Sequence, residues 1–142
     1  MGPLIESIYA SKGLYQTLLA PLCKEYSLTD SEVVILMFIY YNDGYTATDI
    51  VFSQRLKKSV VSESLKDLMD KGLVVGNYLE GDRKSFHLSL TDDGKAIVKD
   101  TKKVQEEFYN IVTEGLSEEE KNTIKSSFKK INKNIRKYKK WV

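Results

Sequence analysis

Two short basic clusters hold the residue types best suited to chemistry in this chain. One is RLKK, residues 55–58, and the other is DRK, residues 82–84, within the segment LEGDRKSFHLSLTDDG. Guanidinium and ammonium groups bind phosphate oxygens, and arginine is favoured in narrow minor grooves of DNA. These residue types indicate contact with nucleic acid, provided that the fold presents both clusters on one surface.

The segment that carries both clusters is predicted to fold as a helix-turn-helix followed by a β-hairpin. Apolar residues at helical spacing and capping patterns mark the helices, whereas alternation from Ser85 to Leu90 marks a strand. The DRK sequence is predicted at the tip of the hairpin, which would be a wing beside a recognition helix. In chain order the predicted elements are helices at 4–25, 33–41, 46–53 and 57–71, strands at 73–78 and 85–90, and helices at 91–113 and from 117 onward.

Composition excludes several classes of function. The chain has 142 residues, 42% of them hydrophobic and 30% charged, which is typical of one globular domain. Cys23 is the only cysteine and His87 the only histidine, so an internal disulfide and a zinc site of several thiolates or imidazoles are excluded. No nucleophile–base pair or carboxylate dyad is evident. We predict that the protein is not an enzyme and carries no metal or cofactor.

The charge of the chain is distributed unevenly. The net charge is +2, but residues 121–142 hold nine basic side chains and no acidic ones, so the preceding 120 residues are net acidic. Any contact with DNA must therefore be local. No apolar run approaches the roughly 18 residues of a membrane span, and no signal peptide is evident, so we expect a cytoplasmic protein without a membrane partner.

Three spaced motifs resemble the MarR family of winged-helix transcriptional regulators. They are GLV at 72–74, DRK at 82–84, and LT at 90–91 followed by Gly94, at the spacing of that family's GLV…DRR…LT..G pattern. The resemblance implies a mainly α fold with a small antiparallel β wing. It also implies a division into an N-terminal dimerisation helix (1–28), a winged helix-turn-helix DNA-binding lobe (29–94) and C-terminal dimerisation helices (95–142).

The resemblance further implies the partners of the protein. Members of this family act as homodimers that bind pseudo-palindromic double-stranded DNA, and most repress genes until a small ligand or an oxidant releases them. A small aromatic or amphipathic effector is therefore a further expected partner. The residues expected to contact DNA are Arg55, Lys57, Lys58, Ser59, Val60, Ser62, Glu63, Lys66, Arg83 and Lys84.

The chain departs from the family pattern at three positions. Glu63 stands where arginine is frequent, Gly76 replaces a frequently basic residue on the first wing strand, and Val60 replaces a frequent threonine. Glu63 is able to accept a hydrogen bond from a cytosine amino group or to repel phosphate, and the sequence leaves both readings open. Glu63, Gly76 and the acidic balance of the chain outside its tail motivate an alternative function, a winged-helix protein-interaction module that no longer binds DNA.

Aromatic residues are dense in the first two predicted helices. They are suited to the walls of an effector cleft, although core packing is the commoner use of such side chains. Cys23 is interpreted as a buried thiol that packs as a small hydrophobe, with oxidant sensing as the alternative. His87 is predicted to face solvent, and the basic tail from Lys129 to be the solvated face of a dimerisation helix. The residues expected to line an effector pocket are Tyr9, Tyr15, Tyr26, Phe38 and Tyr41.

Overall fold

The part of the chain that the structure describes forms six helices and one two-stranded antiparallel sheet. A computed structural model describes residues 2–54 and 56–138, with the backbone alone at 52 and 53. The predicted winged helix-turn-helix fold is confirmed, although the second strand starts earlier than predicted. The elements are α1 (Pro3–Tyr26), α2 (Asp30–Tyr41), α3 (Ala47–Gln54), α4 (Lys58–Asp70), β1 (Val74–Leu79), β2 (Asp82–Leu90), α5 (Asp92–Val112) and α6 (Glu118–Lys137).

Short-range capping sets where several helices begin. At the start of α2, Thr29 Oγ1 accepts from the backbone N–H of Glu32 at 3.1 Å, and Glu32 Oε1 accepts from that of Thr29 at 3.0 Å. Ser117 and Glu120 form the same reciprocal pair before α6. Each pair satisfies two backbone donors that the first turn of a helix leaves free. The predicted capping boxes at these two positions are confirmed.

The hydrophobic core surrounds α2, which is apolar on almost every side. Such a helix must be covered all round, and α1, α3, α4, α5 and the wing each contribute to its cover. This packing holds α4 and the wing against the same hydrophobic core. The most fully buried side chains are Leu19, Val33, Ile35, Leu36, Ile39, Ile50, Val61, Leu68, Val74, Leu88 and Val98.

A clasp of hydrogen bonds joins the end of α4 to the start of α5. Gly72 follows α4 at φ +71°, a left-handed conformation that glycine adopts without strain. Thr91 Oγ1 donates to the carbonyl oxygen of Gly72 at 2.6 Å and accepts from the N–H of Gly94 at 3.1 Å, while the N–H of Thr91 donates to Leu73 O at 3.1 Å. The clasp closes the base of the wing.

The chain divides into two compact units, one ending at Phe108 and the other beginning at Tyr109. The boundary lies inside α5, downstream of residue 95, where the sequence predicted the start of the C-terminal segment. The second unit contains the end of α5 and all of α6. Among the described helices, none is both long and apolar enough to cross a membrane.

Candidate nucleic-acid interface

The recognition helix α4 presents a polar face opposite its buried stripe. Spacings of three and four residues place the exposed side chains on one side of the helix. The buried side chains Val61, Leu65 and Leu68 fix the helix on the core. The structure brings together four of the predicted contact residues, and Val60 lies half-buried at the edge of their face. The four exposed residues are Ser59, Ser62, Glu63 and Lys66.

The start of α4 favours an anion. Lys57 is the N-cap residue, its side chain makes no capping hydrogen bond, and the first turn contains no acid. The free N–H groups and the positive end of the helix dipole therefore add to the charges of Lys57 and Lys58, both exposed. The predicted contact residue Arg55 lies outside the described residues.

Two acidic side chains lie where α4 meets α2. Glu32 is only 4% exposed, and burial together with the neighbouring Asp67 raises the pKa of its carboxyl group. Contact with Glu32 and with Lys71, whose Nζ lies 2.8 Å from Asp67 Oδ2, lowers the pKa of Asp67. Among the described residues, Glu32 Oε2 is buried without a hydrogen-bond partner, so the capping box of α2 lies beside the recognition helix with one carboxyl oxygen unsatisfied.

The wing differs from the prediction at its tip. Tyr78 pairs with Phe86 and Leu79 with Asp82, so residues 83–85 form a bulge on β2 that has no partners on β1. The turn itself is Glu80-Gly81. The prediction that DRK lies in the turn was therefore wrong, because β2 extends back to Asp82 and DRK forms the start of that strand, directly after the turn. Asp82 Oδ1 accepts from the N–H groups of Lys84 at 3.0 Å and Ser85 at 3.3 Å, which shapes the bulge.

His87 does not face solvent as predicted. Its side chain is 19% exposed, its Nδ1 donates to the carbonyl oxygen of Gly44, and its Nε2 lies 3.5 Å from Asp82 Oδ2. Two backbone hydrogen bonds join the same segments, from Gly44 N to Leu88 O and from Leu88 N to Tyr45 O. The turn between α2 and α3 therefore reaches the middle of β2, which turns His87 inward and anchors the wing.

This anchor predicts a pH dependence of the wing. The hydrogen bond to Gly44 O, and then Asp82, raise the pKa of His87 above its ordinary value of 6.5. The stabilisation from charged His87 is complete below about pH 6.5 and is lost as the pH rises through the raised pKa. The pKa of Asp82 is lowered, first by the Lys84 N–H, so its contribution is lost only as the pH falls below 3.8. We expect firm anchoring at about pH 5 and weaker anchoring above pH 7.

Because His87 is the only histidine, NMR titration of its imidazole signal measures this pKa directly. Asp82→Asn should move the pKa of His87 downward, whereas Asp43→Asn on the neighbouring turn should leave it nearly unchanged. A pKa of 6.5 or less in the unsubstituted protein would contradict the prediction.

Packing on the wing explains why glycine occupies position 76 on β1. A Cβ on Gly76 would lie 2.2 Å from the ring of Phe86, so the ring occupies the space that any side chain at position 76 would take. Phe86 in turn contacts Tyr78, with ring centroids 5.2 Å apart. The departure from a basic residue at position 76 therefore reflects packing of an aromatic ring on the wing.

A groove separates α4 from the wing and carries a cation on each side. Lys66 lines it from α4, and Lys84 lines it from β2; Ser62 and Phe86 are also in the lining, and Asp70, at the end of α4, is the one acidic residue among the described lining residues. A strand of phosphates in this groove would meet a lysine on each side, with Asp70 offsetting part of that charge. Thr48, at the start of α3, also lines the groove and was missed by the sequence interpretation, although the Thr46–Asp49 capping pattern marks that helix start.

A second concave site lies between α1 and α2. It has a volume of about 580 Å³ and includes Tyr15, Phe38 and Tyr41 among its lining residues, with Lys12 and Asp30 as charged groups. The other two predicted pocket residues do not line it. Tyr9 is 68% exposed on α1, and the Tyr26 hydroxyl donates to Asp100 Oδ2 at 2.6 Å. A long-range contact, which sequence spacing does not reveal, thus engages Tyr26.

Cys23 is half-buried and packs against the core. Burial and the carboxylate of Asp30, 3.6 Å from its Sγ, raise the pKa of the thiol to about 11. Oxidants attack the thiolate, which is scarce at neutral pH when the pKa is this high. The surroundings favour the structural interpretation of Cys23 over oxidant sensing.

Comparisons of this chain with known proteins agree with the winged-helix geometry described above. The model of the MarR family matches residues 26–85, which include α2, α3, α4 and most of the wing. In sequence, the chain is 24% identical over 108 residues to YdgJ of Bacillus subtilis strain 168, an uncharacterized HTH-type transcriptional regulator. That match spans 76% of this chain and 66% of the relative, just under two thirds of its length.

Solved structures of proteins assigned to the MarR family share the fold of this chain. A MarR transcriptional regulator from Methanosarcina mazei Go1 superposes with a TM-score of 0.83 at 22% identity, covering 94% of this chain and 96% of that one. A Listeria monocytogenes protein assigned to the MarR family, solved with a 26-mer DNA, gives a TM-score of 0.84 at 20% identity, covering 96% and 91%. These similarities show a shared winged-helix fold.

Proposed function

We propose that the chain, whose residues 26–85 match the model of the MarR family, is a sequence-specific, DNA-binding transcriptional regulator. The observation that carries the proposal is the groove between α4 and the wing, with Lys66 and Lys84 on its opposite sides. The exposed face of α4 enters the major groove, and the wing lies over the adjacent minor groove. The phosphates between them pass through the cationic groove.

The regulator acts as a homodimer in the cytoplasm. Two apolar helix faces support this part of the proposal. In the first unit, α1 exposes Leu4, Ile5 and Ile8 by 44–55%. In the second unit, α6 buries none of its described residues, and Phe128 and Ile135 are each 50% exposed. Exposed apolar faces of this kind favour association, and a second copy of the chain provides a matching surface. Residues 1–28 and 95–142 thus serve dimerisation and residues 29–94 bind DNA.

A dimer carries two recognition helices related by a twofold axis. Such a protein binds an inverted repeat whose half-sites lie about one turn of DNA apart. The cavity between α1 and α2 takes a small aromatic or amphipathic effector, since its lining is mostly apolar with a few polar groups. The effector favours a spacing of the two lobes that does not match DNA, so the protein is a repressor released by ligand.

Selection of bound duplexes from a random DNA pool, at low and at physiological salt, tests the proposed function. We expect enrichment of an inverted repeat at both salt concentrations. Repeating the selection with Glu63→Ala separates the two readings of that residue: a base contact changes the preferred sequence, whereas phosphate repulsion leaves the sequence unchanged and tightens binding. Failure of the unsubstituted protein to enrich any motif, even at low salt, would contradict the proposal and favour a protein-interaction module.

A further inference from the structure

The tip of the wing, residues 78–84, exposes two large apolar side chains. Tyr78 is 58% exposed and Leu79 is 56% exposed, and both line a concavity that Glu80 and Arg83 also line. At the end of a hairpin these two side chains lie away from the hydrophobic core, so their exposed surface gains no free energy of burial there. Their position indicates contact with another surface.

The apolar tip is held in a fixed shape. The Tyr78 ring packs on the ring of Phe86, which lies in the space left by Gly76. Asp82 fixes the bulge that carries Arg83 by accepting from two backbone N–H groups. The aromatic pair and the backbone that carries Arg83 are therefore positioned before any partner binds, which lowers the entropy cost of association.

The charges at the end of the wing balance. Residues 80–84 contain two acidic and two basic side chains. Asp82 is engaged by backbone N–H groups and by His87, and Glu80 is the first residue of the turn. The acidic side chains offset part of the attraction of Arg83 and Lys84 for phosphate, so apolar contacts of Tyr78 and Leu79 would add binding free energy that does not depend on charge.

We propose that the wing tip enters the minor groove as an apolar wedge, with Tyr78 and Leu79 pressed against the base pairs beside Arg83 and the duplex bent away from them. This inference rests on the proposed function and specifies how the wing would act in it. Apolar wedges that partly unstack base steps bend DNA toward the major groove, and arginine prefers the narrow minor groove of A·T-rich steps. The wedge therefore favours A·T-rich or flexible steps outside the half-sites read by α4.

The test uses the duplex selected by the intact protein, with fluorophores at both ends to report bending. Tyr78→Ser with Leu79→Ser should weaken binding about ten- to a hundredfold. It should also reduce the bend and leave the dependence of affinity on salt unchanged, because no phosphate contact is lost. Arg83→Ala should instead lower the salt slope by up to about one unit. Val75→Ser, on an exposed residue near the base of the wing, is the matched control and should change neither quantity.

A second variant distinguishes an apolar wedge from a purely electrostatic contact between the wing and DNA. Leu79→Lys adds a positive charge, so a merely electrostatic wing would bind DNA more tightly, whereas a wedge predicts weaker binding and a smaller bend. The NMR signal of His87 reports whether the wing remains folded in each variant. If the serine variant or Leu79→Lys kept the bend and the affinity, the wedge would be wrong, while the proposed function would still stand on binding of the selected repeat. Absence of any selected repeat would instead refute the proposed function.

Discussion

Gly94→Ala is expected to lower the free energy of unfolding by about 2–3 kcal/mol, through overpacking against backbone. A Cβ at this position would lie 2.3 Å from the carbonyl oxygen of Leu73. That oxygen already accepts from the N–H of Thr91 in the clasp between α4 and α5, so it cannot move without weakening the clasp. The gain in helix propensity from glycine to alanine, about 1 kcal/mol, offsets only part of this cost.

Chemical denaturation at one fixed protein concentration measures the effect. Gly13→Ala is the matched control, since Gly13 also lies in a helix but nothing is within 4 Å of its added Cβ. The control should be unchanged or stabilised by up to about 1 kcal/mol. Equal stability of the two variants would show that the close approach of α5 to Leu73 does not constrain the lobe.

Replacing Lys66 and Lys84 together by alanine is expected to weaken DNA binding about ten- to a hundredfold at physiological salt. The two side chains line opposite sides of the groove between α4 and the wing, and both are exposed. Each lost phosphate contact should lower the slope of log affinity against log salt by about 0.9. The double variant should therefore lose nearly two units of slope for each protomer of the proposed dimer and keep its sequence preference.

Fluorescence anisotropy with the selected duplex over a series of salt concentrations measures both quantities. Lys103→Ala, which removes a 71% exposed lysine on α5, is the control for the loss of a positive charge elsewhere in the same unit. A double variant with an unchanged salt slope would place the phosphate path outside the groove. A changed sequence preference would mean that one of the two lysines reads bases.

The motif that resembles the MarR family combines residues with different tasks. Gly72, Thr91 and Gly94 form the clasp at the base of the wing, and their chemistry is structural. Arg83, by contrast, is exposed on the bulge of β2 and, among the described residues, forms no ion pair within 4.0 Å. Asp82 shapes the wing by accepting from the backbone N–H groups of Lys84 and Ser85. The acid shapes the wing, and the arginine remains available to DNA.

The sequence by itself determined the order of the elements, two capping boxes, the buried and polar faces of α4 and the presence of a wing. These features depend on contacts between residues three or four apart, or on alternation along one strand. The local sequence is therefore sufficient to predict them. The exposed residues of the recognition helix were predicted for the same reason. The bounds of β2 were predicted less well, because the bulge has no signature in local spacing.

Only the tertiary structure decided the inward position of His87, the place of Phe86 over Gly76 and the composition of the cavity between α1 and α2. His87 contacts Gly44, 43 residues earlier, and Tyr26 contacts Asp100, 74 residues later. Such partners are chosen when separate elements pack around α2, and the free energy of that packing depends on shape and burial across the whole lobe. The local pattern therefore specifies which helices and strands form, whereas their packing determines which side chains remain free to meet DNA.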